Sequence, residues 1–332
     1  MSQAPAPSVS PSVAPAAAAT SYRYLRLAMA LVLAMLAVAV VLEILRPDPS
    51  AYVDDSAVLD SISAYYWTSV RSVFVASLVA LGVGMIALRP ETDLEDLLLD
   101  LAGALAPVVA FVPTPLPDDC LLLDTPTGCG LPPEASDAVT NNVTAYLVAA
   151  ALALTAYVVI ARVSAPEGVR VVARAPGPRR VRAFGVLLLV AALVATATWL
   201  GVDPDSFGAR AHLAAAIPMF GCIVAVVLIN AVRATTRGGR RHRACPVLYW
   251  ALLAVMVAGA GCSVVLGGLG VTERGTLYAE VSVLGPFLVF WLVQTVELWD
   301  EAVEPARDRV WPYGTDWLPW RRGRWLERWL GR

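Results

Sequence analysis

Lysine is absent from this 332-residue chain: all 25 basic residues are arginine. That bias, with the heavy load of Ala, Val, Leu and Gly, reflects coding composition more than function. Charge is scarce altogether, at 16% of residues against 58% hydrophobic; a soluble domain carries about a quarter charged and about half apolar. Histidine is limited to His212 and His242, too few for a His-rich membrane zinc hydrolase or a haem held by a histidine pair. The five cysteines include no Cys-x-x-Cys, and the chain has no phosphate-binding glycine loop and no Gly-x-Ser-x-Gly elbow. Gly267-Gly268-Leu269-Gly270 closes an apolar run and reads as a helix terminus, not a nucleotide loop. A serine nucleophile at Ser61 or Ser63 has only an acidic neighbour to serve as its base. The apolar residues fall in long runs separated by short polar stretches, a pattern that excludes a disordered chain, a small disulfide scaffold and a nucleic-acid binder with a broad basic face.

What is present is a series of long apolar runs. About 20 apolar residues carry a helix across the hydrocarbon core, and seven runs meet that need: Tyr24–Leu45, Val70–Leu88, Val143–Val163, Ala183–Val202, Ala211–Val232, Val247–Leu269 and Leu277–Leu298. An eighth, Leu97–Val112, is shorter and interrupted by Asp100 and Pro107. Arginine placement decides its status, because basic residues in short loops stay on the cytoplasmic side. With eight spans and both termini inside, 21 arginines lie inside and four (Arg46, Arg71, Arg210 and Arg274) lie outside. Seven spans would put basic loops on both sides. The expectation is an all-α polytopic bundle of eight transmembrane helices over residues 21–299, in a cytoplasmic membrane. Residues 1–20, nearly all Ala, Pro, Ser and Val, read as a disordered cytoplasmic arm. The first run reads as a retained signal anchor, with cleavage as the alternative.

Cys120 and Cys129 share a predicted outer loop without arginine, which favours a disulfide in an oxidising compartment; two free thiols are the alternative. Cys222, Cys245 and Cys262 sit in or beside helices as small apolar fillers. The first outer loop holds Tyr65-Tyr66-Trp67 before the second span, where amphipathic rings suit the membrane interface. Arg71 breaks the positive-inside pattern, and a guanidinium at the hydrocarbon edge calls for a carboxylate partner or an anionic ligand. With Tyr65, Tyr66, Asp60, Arg210, His212 and Glu280 it forms a candidate outward-facing polar pocket, to which Glu43 could add. The other reading is a structural ion-pair network that locks helix ends.

The pattern Ser-x-Tyr-Tyr-x-Thr-x-x-Arg-x-x-Phe-Val, from Ser63 to Val75, resembles a group of bacterial multi-pass inner-membrane proteins of unknown function. Its usual sequel is similar to Asp93-Leu94-Glu95-Asp96, Leu101-Ala102-Gly103, Phe111-Val112-Pro113-Thr114 and the His212 helix. The last helix of the group carries Phe-Trp-x-Glu, where this chain has Phe290-Trp291-Leu292-Val293 with Glu297 nearby. The resemblance implies a shared fold and no established chemistry.

At the predicted inner edge lie Glu91, Asp93, Glu95, Asp96, Asp100, Asn230, Gln294 and Glu297. A transporter relay would sit nearer mid-membrane, so these read as structural, the acidic run as a solvated helix start. Gly259, Ser263 and Gly267, and Ala76, Ala80 and Gly84, form small-residue stripes suited to close helix packing within the bundle or in a dimer. The tail, residues 300–332, carries five of the ten tryptophans. Its helix from Trp320 gathers Trp325 and Trp329 among Arg321, Arg322 and Arg324, as in a headgroup-layer helix on anionic lipid; a partner protein is the rival.

No cofactor or metal site is expected, and no nucleic acid. The functional expectation is a non-enzymatic membrane module that binds a lipid headgroup, small anion or partner protein through the Arg71 pocket. A transporter is the alternative, but the two halves show no clear inverted repeat. A lipid-modifying enzyme is a distant third.

Overall fold

The computed structural model describes residues 13–46, 58–88, 90, 92–114, 133–163, 179–236 and 245–297. These residues are helical, without strands: α1 (Val13–Ile44), α2 (Arg71–Ala87), α3 (Asp93–Phe111), α4 (Pro133–Val163), α5 (Arg179–Val202), α6 (Pro204–Thr236), α7 (Cys245–Gly268) and α8 (Gly275–Glu297), with a 3₁₀ segment at Ser63–Trp67. Cys120, Cys129 and the tail with Arg321, Arg322, Arg324, Trp325 and Trp329 lie outside the described residues.

Six helices, α1 and α4 to α8, are long and apolar enough to cross a membrane. The chain is therefore a helical, membrane-like bundle. α2 is apolar but has 17 residues, and α3 carries four carboxylates, Asp93, Glu95, Asp96 and Asp100. Several helices outrun their apolar cores. α1 begins at Val13, inside the stretch expected as an arm, because Ala-rich sequence is the best helix former available. α4 starts at Pro133, where proline fits a helix's first turn.

α3 is the centre of the packing. α2 and α6 press on it from two sides, α1 packs on α2 and α8, and α7 lies along α8. The α2–α3 crossing is set by Gly82 and Gly103, whose backbones nearly touch. A Cβ on Gly82 would meet the Gly103 carbonyl at 2.7 Å, and one on Gly103 would meet the Gly82 carbonyl at 2.6 Å. The α7 stripe belongs to the bundle: Gly259 faces Ser282 of α8, and Gly275 sits against Ser263 and Gly267. Of the α2 stripe only Gly84 is buried, against Met29 of α1, while Ala76 and Ala80 are exposed. α4 and α5 are peripheral, each with 6% of its apolar window buried; Tyr146 ties α4 to α3 by donating to the Ala104 carbonyl at 2.6 Å.

α3 starts with a reciprocal cap. Thr92 Oγ1 accepts the Glu95 N–H and the Glu95 carboxylate accepts the Thr92 N–H, satisfying two otherwise orphaned donors. The 19 residues that follow give about 28 Å of helix at 1.5 Å per residue. Both ends of α3 are tied to α6: Glu95 to Asn230 and Arg233, and the Val112 carbonyl to His212. α3 therefore runs antiparallel to α6 along the stretch from His212 to Asn230, about 27 Å. The end holding His212 and the 3₁₀ segment is called upper below, and the end holding Glu95 lower.

Candidate functional site

The upper end gathers the N-termini of α2, α6 and α8 and the C-termini of α1 and α3. The chain enters it through Asp60, whose carbonyl accepts the Leu277 N–H at 2.7 Å. The 3₁₀ segment then turns Tyr65 and Tyr66 inward, both buried, while Ser61 Oγ accepts the Ala64 N–H. Trp67 donates its indole N–H to the Thr114 carbonyl at 3.0 Å, fastening the segment beyond α3.

Ser63 stands at the middle of a buried chain. Its Oγ lies 3.0 Å from Glu280 Oε1 and 2.9 Å from His212 Nε2. Glu280 Oε2 accepts the Ile62 N–H at 2.5 Å, and His212 Nδ1 lies 2.6 Å from the Val112 carbonyl. This is not a hydrolase triad, in which the acid holds the far nitrogen of the imidazole. Here the acid is on the serine, a backbone carbonyl is on the far nitrogen, and Ser63 is buried.

Arg71 belongs to a separate arrangement. It is exposed at the first turn of α2, donates to the Tyr66 hydroxyl at 2.7 Å and holds its guanidinium carbon 4.4 Å from the centre of the Tyr66 ring. Tyr66 is braced edge-on by Trp67 and Phe74. No carboxylate among the described residues pairs with Arg71. Glu43 instead takes Arg46 at 3.4 Å and the Ser69 hydroxyl at 2.6 Å. Tyr65 accepts the Leu59 N–H. Burial pushes its phenol above the ordinary tyrosine value and Glu43 adds to the rise; the Leu59 N–H and Arg274 oppose it.

Of the seven residues expected to share a pocket, His212 and Glu280 meet through Ser63, and Arg71 meets Tyr66. Asp60 and Arg210 are exposed. A depression of about 520 Å³ lies on α4, lined by Asp137, Thr140, Asn141, Thr144 and Ala145 and by none of the seven. Among the described residues, no group of three His, Cys, Asp or Glu side chains is placed to hold a metal.

The lower end carries a second network. Arg26 is 2% exposed, donates to Gln294 Oε1 at 2.8 Å and to the Tyr22 hydroxyl at 2.7 Å, and lies over the Tyr22 and Trp291 rings. Gln294 donates to Asn230, Asn230 to Glu95, and Arg233 forms an ion pair with Glu95 at 2.7 Å. Two amides thus bridge Arg26 to the carboxylate. Tyr249 donates to Glu297 beside them. Glu95, expected in a solvated helix start, is 1% exposed and turns onto α6, while Asp93 and Asp96 are half-buried.

Arg26 carries the lower network without standing out in sequence, and Ser63 stands out there only as a serine with an acidic neighbour and as the start of the Ser63–Val75 pattern. A serine before two tyrosines and an arginine at a helix start each have ordinary readings. Compared with protein-family models, curated proteins and solved structures, the chain gives no match, and the resemblance carried by Ser63 to Val75 rests on that segment and its sequel.

Proposed function

We propose that the protein is a non-enzymatic membrane module that binds an anion at its outer face, either the phosphate of a lipid headgroup or a free small anion. The observation that carries this is Arg71: an exposed guanidinium, held against Tyr66, with no carboxylate partner among the described residues. Its position at the start of α2 sets it beside backbone N–H groups that have no partner within the helix. Cation and helix dipole repel each other there, and an anion relieves both.

The accompanying topology is eight spans with both termini in the cytoplasm of a bacterial cell and the upper end outside. The arginine asymmetry supports it. So does α3, whose ties to α6 at both ends match the ~30 Å hydrocarbon thickness. In that orientation the tail arginines Arg321, Arg322 and Arg324 meet anionic headgroups of the inner leaflet, with Trp325 and Trp329 at the interface.

The test uses full-length protein purified in mild detergent, as wild type and Arg71→Gln. Phospholipid bound per protein is measured by mass spectrometry, and the response of tryptophan fluorescence to inorganic phosphate by titration. Loss of bound lipid in the variant identifies a headgroup site. Loss of the phosphate response alone identifies a free-anion site. Unchanged values for both overturn the proposal; because Arg71 is exposed, Arg71→Gln should fold as the wild type does, which helicity checks.

A further inference from the structure

The Glu280–Ser63–His212 chain contains more contacts than its ordinary charge states can fill. In the ordinary states Glu280 is a carboxylate, which only accepts, and His212 is neutral, with one N–H. The contact from Nδ1 to the Val112 carbonyl, at 2.6 Å, uses that N–H. Nε2 is then an acceptor and needs the Ser63 hydroxyl proton at 2.9 Å. Glu280 Oε1 needs the same proton at 3.0 Å. One hydroxyl has one proton, so two acceptors face each other across one of the contacts. All three residues are buried, and a buried polar atom without its hydrogen bond is costly.

We propose that these three side chains form one proton-binding site that holds a proton beyond those ordinary states. With it, every contact is satisfied. Glu280 Oε1–H donates to Ser63 Oγ, the Ser63 hydroxyl donates to His212 Nε2, Nδ1–H donates to the Val112 carbonyl, and Ile62 N–H donates to Glu280 Oε2. The proton can also pass along the chain. The Oε1–H bond breaks and leaves its electron pair on the carboxylate, Ser63 takes that proton, and its own hydroxyl proton bonds to Nε2. One neutral pair becomes a carboxylate and an imidazolium, with no change in total charge. The low-dielectric surroundings favour the neutral form at rest.

The site also works as a latch, because Ile62 caps the 3₁₀ segment and Ser63 begins it, while Val112 caps the end of α3 and His212 and Glu280 lie within α6 and α8. Removing the proton restores the clash of acceptors and loosens the segment. The stabilisation from the shared proton is therefore present at low pH and lost as pH rises. Asp60 is the neighbouring carboxylate that acts on Glu280. Glu43 and Arg274 act on the adjacent Tyr65, and Arg210 is exposed on α6 two residues before His212. None of these touches the chain itself. The inference does not depend on anion binding at Arg71.

The decisive measurement is infrared difference spectroscopy, acid minus alkaline, on the full chain in lipid. The expected result is a protonated carboxyl C=O band that Glu280→Gln removes, Ser63→Ala shifts and Asp60→Asn leaves in place. Glutamine donates and accepts like the protonated acid, so Glu280→Gln keeps the latch closed. Hydrogen exchange at Ile62 to Trp67, corrected for intrinsic rates, should then rise at least about tenfold with pH in wild type, about 1.4 kcal/mol of opening free energy, and stay flat in Glu280→Gln. Wild-type and Glu280→Gln spectra that superimpose at every pH overturn the proposal. So does a band that Ser63→Ala leaves unmoved.

Discussion

At the scale of single residues, the chain's few buried charges are each held differently, and the mode of holding predicts the cost of removal. Glu95 closes the α3 cap and also receives Asn230 and Arg233. Glu95→Ala should lower unfolding stability by about 3 kcal/mol, since removing one member of a buried pair leaves the other without its partner. The double replacement Glu95→Met with Arg233→Met should recover part of that loss, measured by denaturant unfolding in detergent. Costs that simply add would show that the pair is not coupled. Arg26 contrasts with Glu95, because its charge is held by an amide, a phenol and two aromatic faces, with no carboxylate among the described residues touching it. That arrangement spreads a guanidinium over polarisable groups and keeps it inside a bundle.

At the scale of elements, what matters is how closely two helices can come. Gly82 and Gly103 let α2 and α3 approach until backbone meets backbone, the means by which membrane helices gain packing when the hydrophobic effect does not drive them together. Gly82→Ala should destabilise the bundle by about 1–3 kcal/mol through overpacking against a carbonyl that cannot move aside. Gly221→Ala, on α6 with nothing within 4 Å, should be neutral or stabilising by about 0.5–1 kcal/mol from helix propensity. Thermal unfolding of the two variants side by side checks the pair; equal effects would rule out the close crossing. This crossing was not legible in the chain. The small-residue stripes on α2 and α7 are visible as four-residue repeats, but Gly82 and Gly103 lie outside those stripes and on different helices. Only their juxtaposition gives them meaning.

At the scale of the whole molecule, the disputed element is α3. Its carboxylates keep it below the apolarity of an ordinary span, yet α2, α4, α5 and α6 all pack on it. Glu95 of its acidic first turn is absorbed by a cap and by α6, which is why a composition rule undervalues it. In a background without other reactive cysteines, Asp93→Cys should label with a membrane-impermeant thiol reagent only from the cytoplasmic side, and Thr114→Cys only from the outside. Labelling of both from one side rejects the eight-span topology.

The class of the protein, a bundle of apolar helices, was determined by sequence alone, because hydrophobic length is a property of each segment by itself. The scarcity of charge and the one-sided arginines belong to the same level, since each can be counted along the chain. Which polar groups meet was decided only by the tertiary structure. Ser63 reaches His212 and Glu280 across 149 and 217 residues, and Arg71 meets a tyrosine five residues away where the sequence called for a carboxylate or an anionic ligand. The physical reason lies in the solvent. A helix in water shows its buried face by an apolar stripe, but a helix in lipid is apolar on both faces. Its rotation about its own axis is then left to packing, and that rotation determines every polar contact described above.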